Sequence, residues 1–224
     1  MATIVHMQRL MADRLPSSDQ RMLVVLTGAR QTGKTTLARE VYPGLRYVNL
    51  DALEYRDQLR QVSSYAWART VGPAVIDEAQ KLPEVFEKIK YAYDDGGLQF
   101  SVLLGSAQIL LLRKVRESLA GRVWLRELWP LMPCELRGSQ SGQVSLPLLD
   151  AVLKAEDPQA VLSAQPEVLV GEDGALRRDN EEYLLQWGGM PGLLPLRAEE
   201  KREWLAAYEV TYLERDLADL SRMN

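Results

Sequence analysis

The chain has 224 residues, 46% of them hydrophobic and 26% charged, which places it in the ordinary globular range with material for one large domain or one plus a fragment. Its 27 Lys and Arg against 31 Asp and Glu give a formal charge of -4, so no global attraction to nucleic acid or anionic membranes is expected and only local basic patches stay open. The lone Cys134 excludes an internal disulfide and any multi-cysteine metal site, and the lone His6 reads as a solvated or capping side chain rather than a catalyst.

Ile4, Met7, Leu10, Met11 and Leu15 recur at helical spacing before Pro16-Ser17-Ser18-Asp19, predicting a helix ahead of the first strand. Met7, Gln8, Arg9 and Asp13 interrupt any signal-peptide core, and no apolar run reaches the roughly 18 residues of a spanning helix. A soluble, cytoplasmic protein with no membrane partner is therefore expected. Met22 to Leu26 reads as a strand, Thr36 to Val41 as a helix, and Arg46 to Leu50 as a second strand closing on Asp51. Leu53 to Thr70 is helical in composition, and Pro73 to Glu78 is a compact apolar run stopping on two acids, the pattern of a buried parallel strand.

A helix over Leu82 to Tyr93, broken by Asp94-Asp95-Gly96-Gly97, leads to a buried strand over Phe100 to Ser106. A helix from Gln108 to Leu119 and a half-buried strand from Arg122 to Leu128 follow. This alternation predicts an α/β fold, a mainly parallel sheet flanked by helices with ligand at its carboxyl edge, followed by a smaller helical segment. Residues 138 to 147 turn polar and read as a loop. Leu148 to Leu162 and Asn180 to Trp187 read as helices around an exposed turn at Gly171-Glu172-Asp173-Gly174. Gly188-Gly189 reads as a flexible junction, and a charged helix runs from about Arg197 nearly to the end.

The chemistry is concentrated in Gly28-Ala29-Arg30-Gln31-Thr32-Gly33-Lys34-Thr35, which fits G-x-x-x-x-G-K-[ST] and sits between a strand and a helix. Two glycines let the backbone turn tightly and present N–H groups inward, the helix that follows from Thr36 adds its dipole, Lys34 neutralises phosphate charge, and residues 28 to 36 together are expected to hold ATP. The Thr35 hydroxyl suits Mg²⁺. Asp77, at the end of a buried strand, suits the cation's outer coordination, and Glu78 stands where hydrolysing P-loop proteins place a carboxylate that orients or activates water. A pair that only caps a following helix or faces solvent is the competing reading.

Ser106 ends the next strand, either as a polar sensor of the γ-phosphate or attacking water, or as an ordinary turn serine. Arg122 is the candidate for stabilising charge on the transferred phosphoryl, in its own subunit or a neighbour's, with Arg113, Arg116 and Arg126 as competitors. Its alternative is a pair with a carboxylate such as Glu127 or Glu135.

Five ordered motifs, Thr27 to Leu37, Ile76-Asp77-Glu78-Ala79-Gln80, Gly105-Ser106, Leu119 to Val123 and Leu128-Trp129-Pro130-Leu131, resemble the prokaryotic AAA-type ATPases that carry a C-terminal domain of unknown function. The resemblance continues through Gly188-Gly189-Met190-Pro191 and into Tyr212 to Leu217, similar to the opening of that domain. It implies an AAA- or ASCE-type sheet, ATP as ligand and Mg²⁺-dependent hydrolysis. Ala29 stands where the family commonly has proline.

On this basis residues 1–137 are expected to form the P-loop ATPase core, 138–195 a loop and helical lid or linker, and 196–224 a helix opening a truncated C-terminal domain. The expected function is an ATPase whose cycle switches a conformation or a subunit contact, with self-association or a protein or DNA partner reached through the C-terminal domain. The alternatives are a nucleotide-dependent regulatory or DNA-binding module with little hydrolysis, and a P-loop small-molecule kinase whose arginines between 113 and 126 clamp phosphate.

Overall fold

The computed structural model describes residues 7–106, 117–141, 144, 146–165 and 171–221. The chain divides into two units, Arg14–Trp129 and a second made of Met1–Asp13 with Pro130–Asn224. This differs from the boundary expected after residue 137. Its reason lies in Glu135, whose buried carboxylate accepts the Leu10 amide at 2.9 Å and pairs with Arg9 at 3.2 Å, fastening the N-terminal segment to the second unit.

The first unit is a sheet of five parallel strands in the order β2-β3-β4-β1-β5, flanked by helices. The strands are β1 (Met22–Thr27), β2 (Arg46–Asn49), β3 (Ala74–Asp77), β4 (Phe100–Leu104) and β5 (Val123–Glu127). Every residue of β3 and β4, and all of β1 after Met22, is buried, which is why these strands read as nearly continuous apolar runs rather than alternating ones. The helices are α1 (Lys34–Val41), α2 (Leu53–Gln61), the single turn α3 (Trp67–Thr70) and α4 (Glu84–Asp94).

Helix α4 buries Val85, Phe86, Ile89 and Ala92, spaced to form one face, in a core with Leu23, Val25, Trp67, Ile76 and Leu103. Each such large apolar side chain removed from water contributes about 1.5–3 kcal/mol, so the central strands form a rigid platform. The carboxyl ends of β1, β4 and β3 lie side by side, and β4 separates the strand that ends on the cradle from the one that ends on Asp77.

Two expectations change here, and a third falls mostly outside the described residues. In place of a helix over Ile4 to Leu15, residues 7–15 contain only a 3₁₀ turn at Ala12–Arg14, residues 1–6 lying outside the described residues. The helical stretch 53–70 is broken where the Ser63 hydroxyl accepts the Ala66 amide and opens a 3₁₀ turn at Ser64–Ala66. Of the helix expected over 108–119, residues 108–116 lie outside the described residues and 117–118 are helical.

The second unit is helical: α5 (Pro133–Ser141), α6 (Leu148–Lys154), α7 (Pro158–Ser163), α8 (Gly171–Trp187) and α9 (Ala198–Ser221). The polar run Gly138-Ser139-Gln140-Ser141 closes α5 instead of forming a loop, because buried Leu136 and Glu135 anchor that helix and packing outweighs its weak propensity. Residues 148–162 split where Asp157 caps α7, accepting from the amides of Gln159 and Ala160, with Pro158 in its first turn. Gly171 to Gly174 open α8 rather than form an exposed turn, and Gly174 is buried.

Gly189 is no flexible junction. Its carbonyl accepts the Leu131 amide at 2.7 Å, and a Cβ there would stand 2.5 Å from the Leu131 oxygen, so the glycine permits a close backbone approach.

Candidate functional site

The loop from Gly28 to Gly33 leaves the end of β1 and enters α1 directly. Gly28 has φ 145, and a Cβ at that position would lie 2.3 Å from the Leu128 carbonyl oxygen, so only glycine lets the chain turn there. Gln31 at φ 62 and Gly33 at φ 93 are further positive-φ turns in the loop, the kind of backbone that can aim N–H groups into a concave anion site. The fully buried Thr32 braces the loop by donating from Oγ1 to the Ala29 carbonyl at 2.9 Å. Helix α1 has no side-chain cap at Gly33, which leaves its first amides, those of Lys34, Thr35 and Thr36, for a ligand.

Lys34 is 8% exposed and donates from Nζ to the carbonyls of Gly28 at 3.0 Å and Ala29 at 2.7 Å. The ammonium is thus held on its own loop. Burial pushes its pKa below the ordinary lysine value, against the upward pull of Glu78 and Asp77.

The Thr35 hydroxyl donates to Asp77 Oδ2 at 2.6 Å, and the Tyr47 phenol from β2 donates to the same oxygen at 2.7 Å. The other oxygen, Oδ1, accepts the Glu78 amide at 2.9 Å. Burial first, and the bond to Asp77 second, raise the Tyr47 phenol well above its usual pKa, keeping it a donor. Arg39 of α1 lies over the Tyr47 ring at 5.1 Å and steadies it. Asp77 is 5% exposed, so this carboxylate is oriented by three donors in a dry setting.

Glu78 follows in a left-handed conformation, φ 55 and ψ 40, uncommon for a residue with a side chain. Its Oε2 accepts from Gln80 Nε2 at 2.7 Å. Ser106, two residues beyond β4, is 6% exposed, and its hydroxyl oxygen is buried with no hydrogen-bond partner. The cradle, Lys34, Thr35, Asp77, Glu78 and Ser106 are thus gathered at one sheet edge.

Arg122 is not among them. It precedes β5, which runs parallel to β1 with Thr27 opposite Glu127, so it stands at the amino edge of the sheet, about 16 Å of strand away from the cradle edge. There its Nε donates to Asp94 at 2.6 Å and Nη1 to the Ala120 carbonyl at 3.0 Å. The guanidinium holds the Asp94 carboxyl below its ordinary pKa. The expectation that Arg122 meets the phosphoryl group within its own subunit is corrected by strand direction, and its partner is Asp94 rather than Glu127 or Glu135.

Arg126 lies over the Trp124 ring at 4.3 Å and donates to the Leu125 carbonyl, while Arg113 and Arg116 lie outside the described residues. Tyr47 and Gln80 are the residues sequence reasoning left without a role. For Tyr47 no local pattern signals it, since its contact crosses from β2 to β3. For Gln80 the spacing of two from Glu78 was visible but the left-handed turn that joins them was not.

Residues 20–136 of the chain match the AAA domain family. Two curated proteins, described as uncharacterized, from Mycobacterium bovis and Mycobacterium tuberculosis are each 33% identical over 201 residues, covering 88% of this chain and 36% of theirs. The chain therefore spans about a third of the length of the curated relatives it matches. Among solved structures, a Walker-type ATPase of Pyrococcus abyssi overlaps 94% of this chain and 76% of its own, with 20% identity and a TM-score of 0.47. A signal-transduction ATPase of Pyrococcus horikoshii with a tetratricopeptide repeat sensor overlaps 78% of this chain and 27% of its own, with 13% identity and a TM-score of 0.39. Those overlaps are loose, and the assignment rests on the sequence match together with the five-stranded sheet. The chain belongs to the AAA domain family.

Proposed function

We propose that the first unit binds ATP with Mg²⁺ in the cradle, hydrolyses it with water, and uses the cycle to drive a conformational or partner switch. The observation that carries this reading is the 2.6 Å bond from the Thr35 hydroxyl to Asp77, with Glu78 next in sequence. The donor set suits the cation: one hydroxyl and one carboxylate are hard oxygen ligands, and Mg²⁺ commonly takes few protein ligands, completing its shell with phosphates and water.

In this reading the cradle amides and Lys34 hold the phosphates, Thr35 and Asp77 hold Mg²⁺, and Glu78 takes a proton from water. Ser106 supplies a buried hydroxyl toward the γ-phosphate or the water. When bound, the cation neutralises charge on the β- and γ-phosphates. The kinase reading loses support because Arg122 faces the amino edge and Arg126 is engaged with Trp124, leaving neither as a phosphate clamp.

The test is Glu78→Gln, which keeps size and hydrogen bonding but removes the base. Nucleotide affinity stays within about twofold, and phosphate release in the absence of any added acceptor falls by two or more orders of magnitude. Unchanged turnover removes Glu78 from this role, and phosphate release that needs an added acceptor restores the kinase.

A further inference from the structure

The hydrogen bonding of Gln80 is half complete. Its Nε2 donates to Glu78 Oε2 at 2.7 Å, while its Oε1 is buried and has no partner. Chemistry fixes which end of this amide is which, because a carboxylate only accepts, so the nitrogen faces Glu78 and the carbonyl is the orphan. A buried, oriented acceptor without a donor is costly, and such atoms call for an explanation in a bound group.

The backbone makes this pairing deliberate. Glu78 in the left-handed region opens the 3₁₀ turn Ala79–Lys81, closed by the Lys81 amide donating to the Glu78 carbonyl at 2.9 Å. That turn brings two side chains only two positions apart face to face, at the strained residue beside Asp77. With Oε2 engaged by Gln80, the second carboxylate oxygen of Glu78 is left to receive a proton. The second orphan in this region is the Ser106 hydroxyl. β3 and β4 pair in parallel with Ile76 opposite Leu103, which carries Ser106 to the same carboxyl edge as Gln80.

We propose that Gln80 orients the attacking water, its Oε1 accepting one O–H while the Glu78 carboxylate accepts the other. This rests on the hydrolytic reading above and adds a residue to it. A water molecule has two donors, and the Glu78–Gln80 pair presents two acceptors, so both O–H bonds are directed and a lone pair is left facing phosphorus. The new bond joins the water oxygen to the γ-phosphorus, and the bond from the γ-phosphorus to the bridging oxygen breaks with its electron pair leaving on ADP. One water proton passes to Glu78. The other stays on the oxygen that becomes part of inorganic phosphate, and Gln80, which takes no proton, acts by direction alone.

The experiment compares Gln80→Met, which is nearly isosteric and lacks both polar atoms, with Gln80→Glu, which keeps the acceptors but loses the donor to Glu78. In both, kcat falls about 10–100-fold, while KM for ATP and the affinity for ADP stay within twofold. Affinity for ADP with aluminium fluoride and Mg²⁺, a probe that captures the in-line water, falls in step with kcat. Turnover within twofold of wild type in Gln80→Met overturns the proposal, as does a loss of ADP affinity matching the loss of kcat. Should Gln80→Met not fold, Gln80→Glu carries the same comparison. Glu78→Gln run in parallel separates the two readings: if it abolishes hydrolysis while Gln80 variants turn over normally, the ATPase stands and the water-orienting role fails. If wild type releases no phosphate from ATP, both fail together.

Discussion

The hydroxyl of Thr35 and the carboxylate of Asp77, 2.6 Å apart, join the start of α1 to the end of β3 across the intervening β4. The bond holds together the two oxygen groups of the proposed Mg²⁺ site, and the Tyr47 phenol donates to the same Asp77 oxygen at 2.7 Å. Preorganisation of this kind lowers the cost of assembling a cation site.

Thr35→Ala removes the proposed Mg²⁺ ligand and leaves the rest of the cradle in place. Its affinity for ATP with Mg²⁺ falls at least tenfold, about 1.4 kcal/mol, while ADP in EDTA binds nearly as in wild type, as titration calorimetry reads directly. Tyr47→Phe gives the smaller version of the same change, since Asp77 keeps its bonds from Thr35 and the Glu78 amide. Equal losses with and without Mg²⁺ would mean that the bond only braces the loop.

Gly28→Ala is expected to be one of the most damaging small substitutions in the first unit. Its φ of 145 is strained for any side chain, and the new Cβ would meet the Leu128 oxygen at 2.3 Å, backbone that is itself held by the Leu128 amide bonding Thr27. A loss of roughly 2 kcal/mol or more in denaturant unfolding follows, with nucleotide binding lost as the loop shifts. Gly44→Ala is the control: nothing lies within 4 Å of a Cβ there, and its effect stays within about 0.5 kcal/mol.

What the sequence revealed about this site follows the distance over which each feature is encoded. The cradle is local, since eight consecutive residues fix its turns and the order strand, loop, helix places it at the carboxyl edge. The run Ala74 to Asp77 showed its burial on both faces through the absence of any alternation. Tyr47 was invisible because its role depends on which strand β2 joins, a matter of tertiary pairing. Arg122 could have been read correctly: a residue that opens a strand parallel to β1 must lie at the edge opposite the cradle, and its closeness in sequence to other motif residues concealed that. Gly138 to Ser141 suggested a loop by composition, and the anchoring of α5 through Leu136 and Glu135 overrode it.

Arg122→Ala tests that placement. With its guanidinium on Asp94 at the amino edge, its removal leaves turnover of a single subunit within twofold of wild type, and Asp94→Ala behaves alike. The pair is solvent-exposed and screened, so the melting temperature moves little, and less at high salt. A turnover loss that appears only as protein concentration rises would instead identify Arg122 as a group supplied to a neighbour's site.

Lys34 gives the nucleotide affinity a pH dependence of definite sign. In the free protein burial depresses its pKa below 10.5, and phosphate anions in the cradle favour the ammonium, so the complex holds the proton more tightly than the free protein. Binding therefore takes up a proton in the window between the two values. Affinity is fully present below the depressed pKa and declines as pH rises through it. Stability of the nucleotide-free protein runs the other way: the unfolded chain, with its ordinary lysine, binds the proton more tightly, so folding gains as pH rises from the depressed value toward 10.5. Tyr47 does not confuse the measurement below pH 10, because its phenol is pushed above the ordinary range and stays protonated. A fluorescent ADP analogue titrated upward from pH 7 toward the ordinary lysine pKa shows affinity weakening with rising pH in wild type and a flat, weaker profile in Lys34→Met. A wild-type profile as flat as the mutant's would mean that Lys34 stays on the Gly28 and Ala29 carbonyls when nucleotide is bound.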